Sequence, residues 1–216
     1  MSVKNIAKYI VRRFLEKLGL LYIIRLKRDA LLAYGWEASA SGFTSVDGQG
    51  NPIPWITYPA IHFLEIRVGK GMKVFEYGSG NSTRWWASRV AVVNSVEHDR
   101  EWYEKISGTL PDNAKLSYVE LEYGGLYSQA VAGDQRWDLV VVDGRDRVNC
   151  LKQSINYVAN DGVILLDNSD REEYREGIEF LLDHGFKMIA FRGLAPIVTY
   201  VSETAIFYRS ENCLGL

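Results

Sequence analysis

Two short segments constrain the fold of this chain more than anything else in it: Val140-Val141-Val142-Asp143 and Val163-Ile164-Leu165-Leu166-Asp167. Both are apolar without alternation. A strand with one face in water alternates apolar and polar side chains, so a run that is apolar throughout must be covered on both faces. Short runs of this kind predict the central strands of a parallel sheet with helices wound on each side. Each run ends in an aspartate, a residue that is costly to bury without partners.

Further β-rich runs lie at 72–77, 93–97, 115–121, 137–142, 162–166, 186–191 and 204–208, and helical patterns at 82–90, 101–107, 149–158 and 171–184 separate most of them. Strand and helix alternate from about residue 58 onward. The stretch 192–203 is irregular and carries no crossover helix, so the last two strands are expected to form an antiparallel hairpin. Ahead of this domain, residues 3–34 read as helix, with Ile6, Ile10, Phe14, Leu18 and Leu21 at helical spacing and basic residues between them. Residues 35–55 hold Gly35, Gly42, Gly48, Gly50, Pro52 and Pro54 and read as a loop or linker. The expected division is a helical extension and loop over 1–57 and an α/β domain over 58–216.

Charge is unevenly placed. The chain of 216 residues has a net charge of −2, which argues against a general nucleic-acid binder. Residues 1–35 hold eight Lys or Arg against Glu16 and Asp29, so +6 sits in the extension and −8 in the remainder. The basic amphipathic helix is expected to pack on the domain or on a second subunit; the alternative is contact with an anionic membrane surface. A homodimer is one expected outcome. Cys150 and Cys213 provide neither a disulfide framework nor a CxxC knuckle, which suits a reducing, cytoplasmic setting. The best apolar run, Leu18 to Ile24, stops at Arg25, too short for a membrane span.

The sharpest chemical signal is Val74-Phe75-Glu76-Tyr77-Gly78-Ser79-Gly80-Asn81-Ser82-Thr83. A buried strand runs into a glycine turn and then a helix that Asn81 or Ser82 would cap. Gly78 and Gly80 allow a ligand to lie against bare backbone, and such turns before helices usually serve nucleotides. Glu76 would repel a diphosphate and welcome an ammonium group. Glu97 follows 21 residues later, where an acidic side chain meets ribose hydroxyls in nucleotide-binding units. Thr83 stands where a dinucleotide fingerprint wants its third glycine, which disfavours a nicotinamide cofactor.

Glu-x-Gly-x-Gly at 76–80, followed by Ser-Val-Glu-His-Asp at 95–99, resembles motifs I and II of class I S-adenosylmethionine-dependent methyltransferases. The resemblance covers residues 58–209. It implies a Rossmann-like, doubly wound, mostly parallel seven-stranded sheet with a C-terminal antiparallel hairpin. It also implies a cofactor site built from Glu76, Tyr77, Gly78, Ser79, Gly80, Ser82, Thr83, Glu97 and His98, with Asp143 at the reacting end. Glu122 or Tyr123 would line the adenine or else lie in an exposed turn, and Trp55, Tyr58 and Ile61 would either fold over the cofactor or pack in the core.

The strand-end acids Asp143 and Asp167-Asn168 resemble the metal site of catechol O-methyltransferase. That likeness implies Mg²⁺ held by Asp143, Asp167 and Asn168, polarising an acceptor hydroxyl. The alternative is that both aspartates are hydrogen-bonded to loop backbone and orient substrate without a metal. Where that family carries a catalytic lysine this chain has Asp146, so Asp146, His98 or a metal-bound hydroxide is the expected general base, and Asp143 is expected among the catalytic residues. The run Glu76–Thr83 with Val-Glu-His-Asp and Val-Asp-Gly-Arg is also similar to glucuronoxylan O-methyltransferase-like proteins, which implies a sugar or other small acceptor for O-methylation. Arg145 and Arg147 would bind an acidic group on it or else form surface ion pairs. The rival expectation is a non-catalytic binding protein on the same fold; retention of Glu76, Glu97, Asp143 and Asp167 speaks against it.

Overall fold

The computed structural model describes residues 3–216. Helix α1 (Val3–Lys17) and helix α2 (Leu20–Leu26) are separated at Gly19, whose φ of 71° is left-handed. The chain continues through a π turn at Lys27–Leu31. The single helix expected over 3–34 is therefore broken where glycine makes the left-handed turn inexpensive.

Residues 35–55 are not a linker. They contain helix α3 (Trp36–Gly42), and Trp36 Nε1 donates to the Val198 carbonyl at 2.7 Å. Ile53 and Ile56 are buried in the main core beside Trp85 and Leu64. Glycine and proline mark irregular backbone there, but they say nothing about whether the loop packs. No packing boundary falls at residue 57.

The remaining elements are α4 (Tyr58–Glu65), β1 (Lys73–Tyr77), α5 (Asn81–Ala87), β2 (Val92–Glu97), α6 (Arg100–Ser107), β3 (Ala114–Tyr118) and α7 (Leu126–Gln129). They continue with β4 (Trp137–Val142), α8 (Arg147–Ser154), β5 (Val158–Asp167), α9 (Arg175–Asp183), β6 (Lys187–Leu194) and β7 (Val201–Tyr208). The seven strands form one sheet in the order β3-β2-β1-β4-β5-β7-β6. β1 to β5 are parallel, and β7 runs antiparallel to both β5 and β6.

The unbroken apolar runs are explained by two cores, one on each face. Leu139, Val141, Val163 and Leu165 point to the face covered by Trp85 and Trp86 of α5. Val140, Val142, Ile164 and Leu166 point to the opposite face, against Leu151 of α8 and Leu181 of α9. Burying such a side chain contributes about 1.5–3 kcal/mol, so both faces of the central strands stabilise the sheet. Register brings the carboxyl ends together: Tyr77 pairs with Val96 on one side and Val142 on the other, and Val142 pairs with Leu166. The four strand-end acids therefore share one edge, beyond which ligands bind in open α/β sheets.

Candidate functional site

A cleft of about 1010 Å³ opens at that edge. This is at the upper end of the range of about 300–1,000 Å³ for ligand sites, and it is large enough for two small molecules. Glu76, Gly78, Gly80, Glu97, Asp143, Asp167 and Asn168 all line it.

The glycine turn is fixed by its backbone. Gly78 and Gly80 have φ of 103° and 148°, which side-chain-bearing residues rarely adopt. Gly80, rather than Asn81 or Ser82, caps α5; its N–H donates to Thr83 Oγ1 at 3.1 Å. Thr83 is fully buried, and its hydroxyl donates in turn to Glu76 Oε2. It therefore positions Glu76 and does not line the cleft. Asn81 instead binds Thr44 and the Ser45 carbonyl, clasping the N-terminal wall of the cleft to the turn.

Glu76 reaches this place by strand parity. Val74 and Glu76 share a face of β1, and Glu76 pairs in register with Ser95 of β2. Ser95 Oγ donates to Glu76 Oε2 at 3.0 Å, the same oxygen that accepts from Thr83. Burial pushes the Glu76 carboxyl above its ordinary range, and donors from Ser82, Thr83 and Ser95 oppose the rise. A cationic group arriving at the cleft floor would still find Oε1 as an acceptor.

Glu97 is held more firmly. Its Oε1 accepts from the backbone N–H groups of His98 and Asp99 at 2.8 and 3.0 Å, and Oε2 accepts from Ser79 Oγ at 2.8 Å. It is 4% exposed. Three donors fix an acceptor-only group beside the glycine turn, with one lone-pair site on Oε2 left for a ligand. His98 lines the cleft with its Nδ1 2.9 Å from Glu97 Oε1, at the glutamate end of the site.

The wall facing Glu97 comes from α6. Asp99 Oδ1 caps this helix by accepting from Trp102 N at 2.9 Å. The indole of Trp102 then folds back, donating from Nε1 to the Ser79 carbonyl at 2.9 Å, and lies over Gly80. Sequence reasoning missed Trp102; its one local signal is an aromatic residue three positions after a capping aspartate. Glu122 and Tyr123, expected to cover the adenine, are exposed and stand outside the lining. Trp55 lines the cleft, whereas Tyr58 and Ile61 belong to the core.

The acid cluster at the other end is organised around Arg147. Arg147 Nη1 donates to the Asp167 carbonyl oxygen and, at 3.3 Å, to Asn168 Oδ1. Nη2 donates to Asp143 O at 3.0 Å and Oδ1 at 3.1 Å. The guanidinium thus stands among the three residues expected to ligate Mg²⁺ and uses the asparagine oxygen the ion would need. Thr204, the β7 partner of Asp167, donates to its Oδ1 at 2.7 Å. Among the described residues no group of three or more His, Cys, Asp or Glu side chains could hold a metal ion. The donor set does not fit Mg²⁺. Nor is Arg147 free to take an acidic acceptor; Arg145 is exposed on the lining.

Two carboxyls against one arginine leave excess negative charge. Burial raises the Asp143 carboxyl well above its ordinary range, and Asp167 adds to the rise against Arg147. Asp167 is pushed up to about 6, mainly by burial, with Arg147 and Thr204 opposing. Asp146 takes no part in this cluster. It sits in a left-handed conformation (φ 49°) at the start of α8. Its Oδ2 accepts from Gly124 N at 2.8 Å, and its Oδ1 accepts from Asn149 Nδ2 at 2.7 Å. Its carboxylate is a loop tie outside the cleft lining, so it is not placed as a base.

No protein-family model and no curated protein sequence matches the chain. Solved structures do. The chain is similar to precorrin-6y C5,15-methyltransferase from Geobacter metallireducens GS-15, with a TM-score of 0.54 and 12% identity over 70% of this chain and 87% of that one. The N-methyltransferase NodS from Bradyrhizobium japonicum WM9 gives 0.51 and 10% over 68% and 92%. An rRNA methylase from Streptococcus thermophilus gives 0.51 and 12% over 72% and 99%. The chain has a methyltransferase fold. At these identities the likeness is one of architecture, and it covers about 70% of this chain.

Proposed function

We propose that this chain is an S-adenosylmethionine-dependent methyltransferase that methylates a hydroxyl or carboxyl oxygen of a small-molecule or sugar acceptor without a metal ion. The observation that carries the reading is Glu97, a buried carboxylate held by three donors beside two glycines whose conformations leave bare backbone. That arrangement suits a ribose diol on Glu97, while Glu76 at the floor suits the ammonium of an attached amino acid. Similarity to methyltransferases of several acceptor types supports methyl transfer and leaves the acceptor atom to the chemistry of the cleft.

The cofactor supplies a methyl group on a positively charged sulfur, open to attack by a nucleophile. The chain's own part is to hold, orient and deprotonate. Asp143 lines the cleft beyond the glycine turn, with Oδ1 engaged by Arg147. An acceptor hydroxyl reaching its second oxygen would lose its proton there, and a carboxyl pushed above its ordinary range is better matched to that task than an ordinary aspartate. Arg147 keeps the carboxyl in place and offsets its charge. Arg145 and Arg171 on the lining would receive an acidic part of the acceptor. In-line geometry and exclusion of water supply most of the acceleration in such a transfer.

The test uses Asp143→Asn, which keeps size and the acceptor for Arg147 but removes the base. Methyl transfer from radiolabelled S-adenosylmethionine to a panel of sugars, uronic acids and phenols is expected to fall about 10²–10⁴-fold, the usual worth of a positioned base. Binding of S-adenosylhomocysteine should change little. Transfer at the wild-type rate would remove Asp143 from the chemistry, and stimulation by Mg²⁺ would contradict the metal-free reading.

A further inference from the structure

We propose that α1 and α2 seat this protein on the surface of an anionic lipid bilayer. Ile6, Ile10 and Phe14 form a stripe along α1 and are 45%, 61% and 61% exposed. On α2 no residue is buried, and Tyr22, Ile23 and Ile24 are exposed as well. The two helices pack chiefly on each other and on the π turn. So much open apolar surface in one segment is abnormal for a chain that leaves it in water.

Charge selects the occupant. Residues 1–35 carry +6, and the exposed Lys4, Lys8, Lys17 and Arg25 have no acidic partner among the described residues, whereas Arg12, Arg13 and Arg28 do. A second copy seated through the same helices would bring +6 against +6. Anionic headgroups answer that charge while the apolar stripe enters the acyl boundary, the behaviour of an interfacial amphipathic helix. Among the described residues no helix is long and apolar enough to cross a membrane, so the segment would lie on the surface. The same extension continues into α3 and into residues 42–45, which wall the cleft, and Phe43 and Trp55 meet edge-to-face at its rim. The cleft is thereby tied to the segment that would rest on lipid.

Co-sedimentation of the full chain with phosphatidylcholine vesicles, with and without phosphatidylglycerol, tests this independently of methyl transfer. Binding is expected only to the anionic vesicles, weakened by salt. Lys4→Glu with Lys8→Glu should weaken it about tenfold or more, and Ile10→Glu with Phe14→Glu should abolish it. All four positions are exposed, so an unchanged thermal transition would show that the variants fold. Absence of binding to anionic vesicles, or binding unaffected by the Ile10/Phe14 pair, overturns the proposal. A concentration-dependent dimer that this pair abolishes would assign the face to a second copy and overturn it equally.

Discussion

At the scale of single residues, the site depends on how each buried acid is neutralised. Glu97 meets backbone and hydroxyl donors, Glu76 meets Thr83 and Ser95, and the Asp143–Asp167 pair meets one arginine. The pair has a consequence for stability. Asp167 titrates near 6 in the fold and near 3.9 in an unfolded chain, so the native state binds its proton more tightly. Below about pH 4 both states are protonated and the aspartate costs little; between 4 and 6 stability falls because the unfolded carboxyl ionises while the buried one keeps its proton, and the loss persists above 6, where both are ionised. Asp167→Asn escapes this titration. Its stability relative to the wild type should rise by about 3 kcal/mol between pH 4 and pH 8, measured by urea unfolding. A pH-independent difference would show that Asp167 is not held protonated. The four acids were legible in the sequence because each closes a strand, and strand ends share an edge. The role of Arg147 was not legible: it sits four residues after Asp143, but its reach to Asp167 and Asn168 exists only because β4 and β5 are neighbours. Asp146 misled for a local reason, since its left-handed φ turns the carboxylate to Gly124, and nothing in an aspartate announces that.

Among the elements, the turns that follow the paired strands β1 and β4 meet closely at Gly78 and Gly144. A side chain at Gly144 would collide with Tyr127 Oη and meet Gly78 N at 3.1 Å. Gly144→Ala should therefore destabilise by about 1–3 kcal/mol and displace the turn that carries Gly78, lowering thermal stability and ligand affinity together. An alanine variant that melts and binds like the wild type would mean the turn has room to relax. Strands and crossover helices were readable because apolar runs and helical periods are local facts. Helix α3, α4 and the clamp of Trp36 on Val198 were not, because loops rich in glycine and proline look alike whether they pack or float. Trp102 was missed for the related reason that its contact with Ser79 joins two elements.

For the whole molecule, the parallel sheet and its antiparallel finish were legible, since the covered central runs and the lack of a crossover between the last two strands leave few other topologies. The relation of the N-terminal helices to the body was not: amphipathicity says that a face seeks cover, and the structure shows that the body does not supply it. The proposed methyl transfer requires that a nucleoside attached to an amino acid occupy the corner of Glu76, Gly78, Gly80 and Glu97. The most direct test is a thermal-shift titration of wild type and Glu97→Ala with S-adenosylhomocysteine. Ligand at 100 times its dissociation constant should stabilise the wild type by about 2.7 kcal/mol, with the affinity of Glu97→Ala at least tenfold weaker. No shift for the wild type, or an equal shift in the variant, would contradict the account.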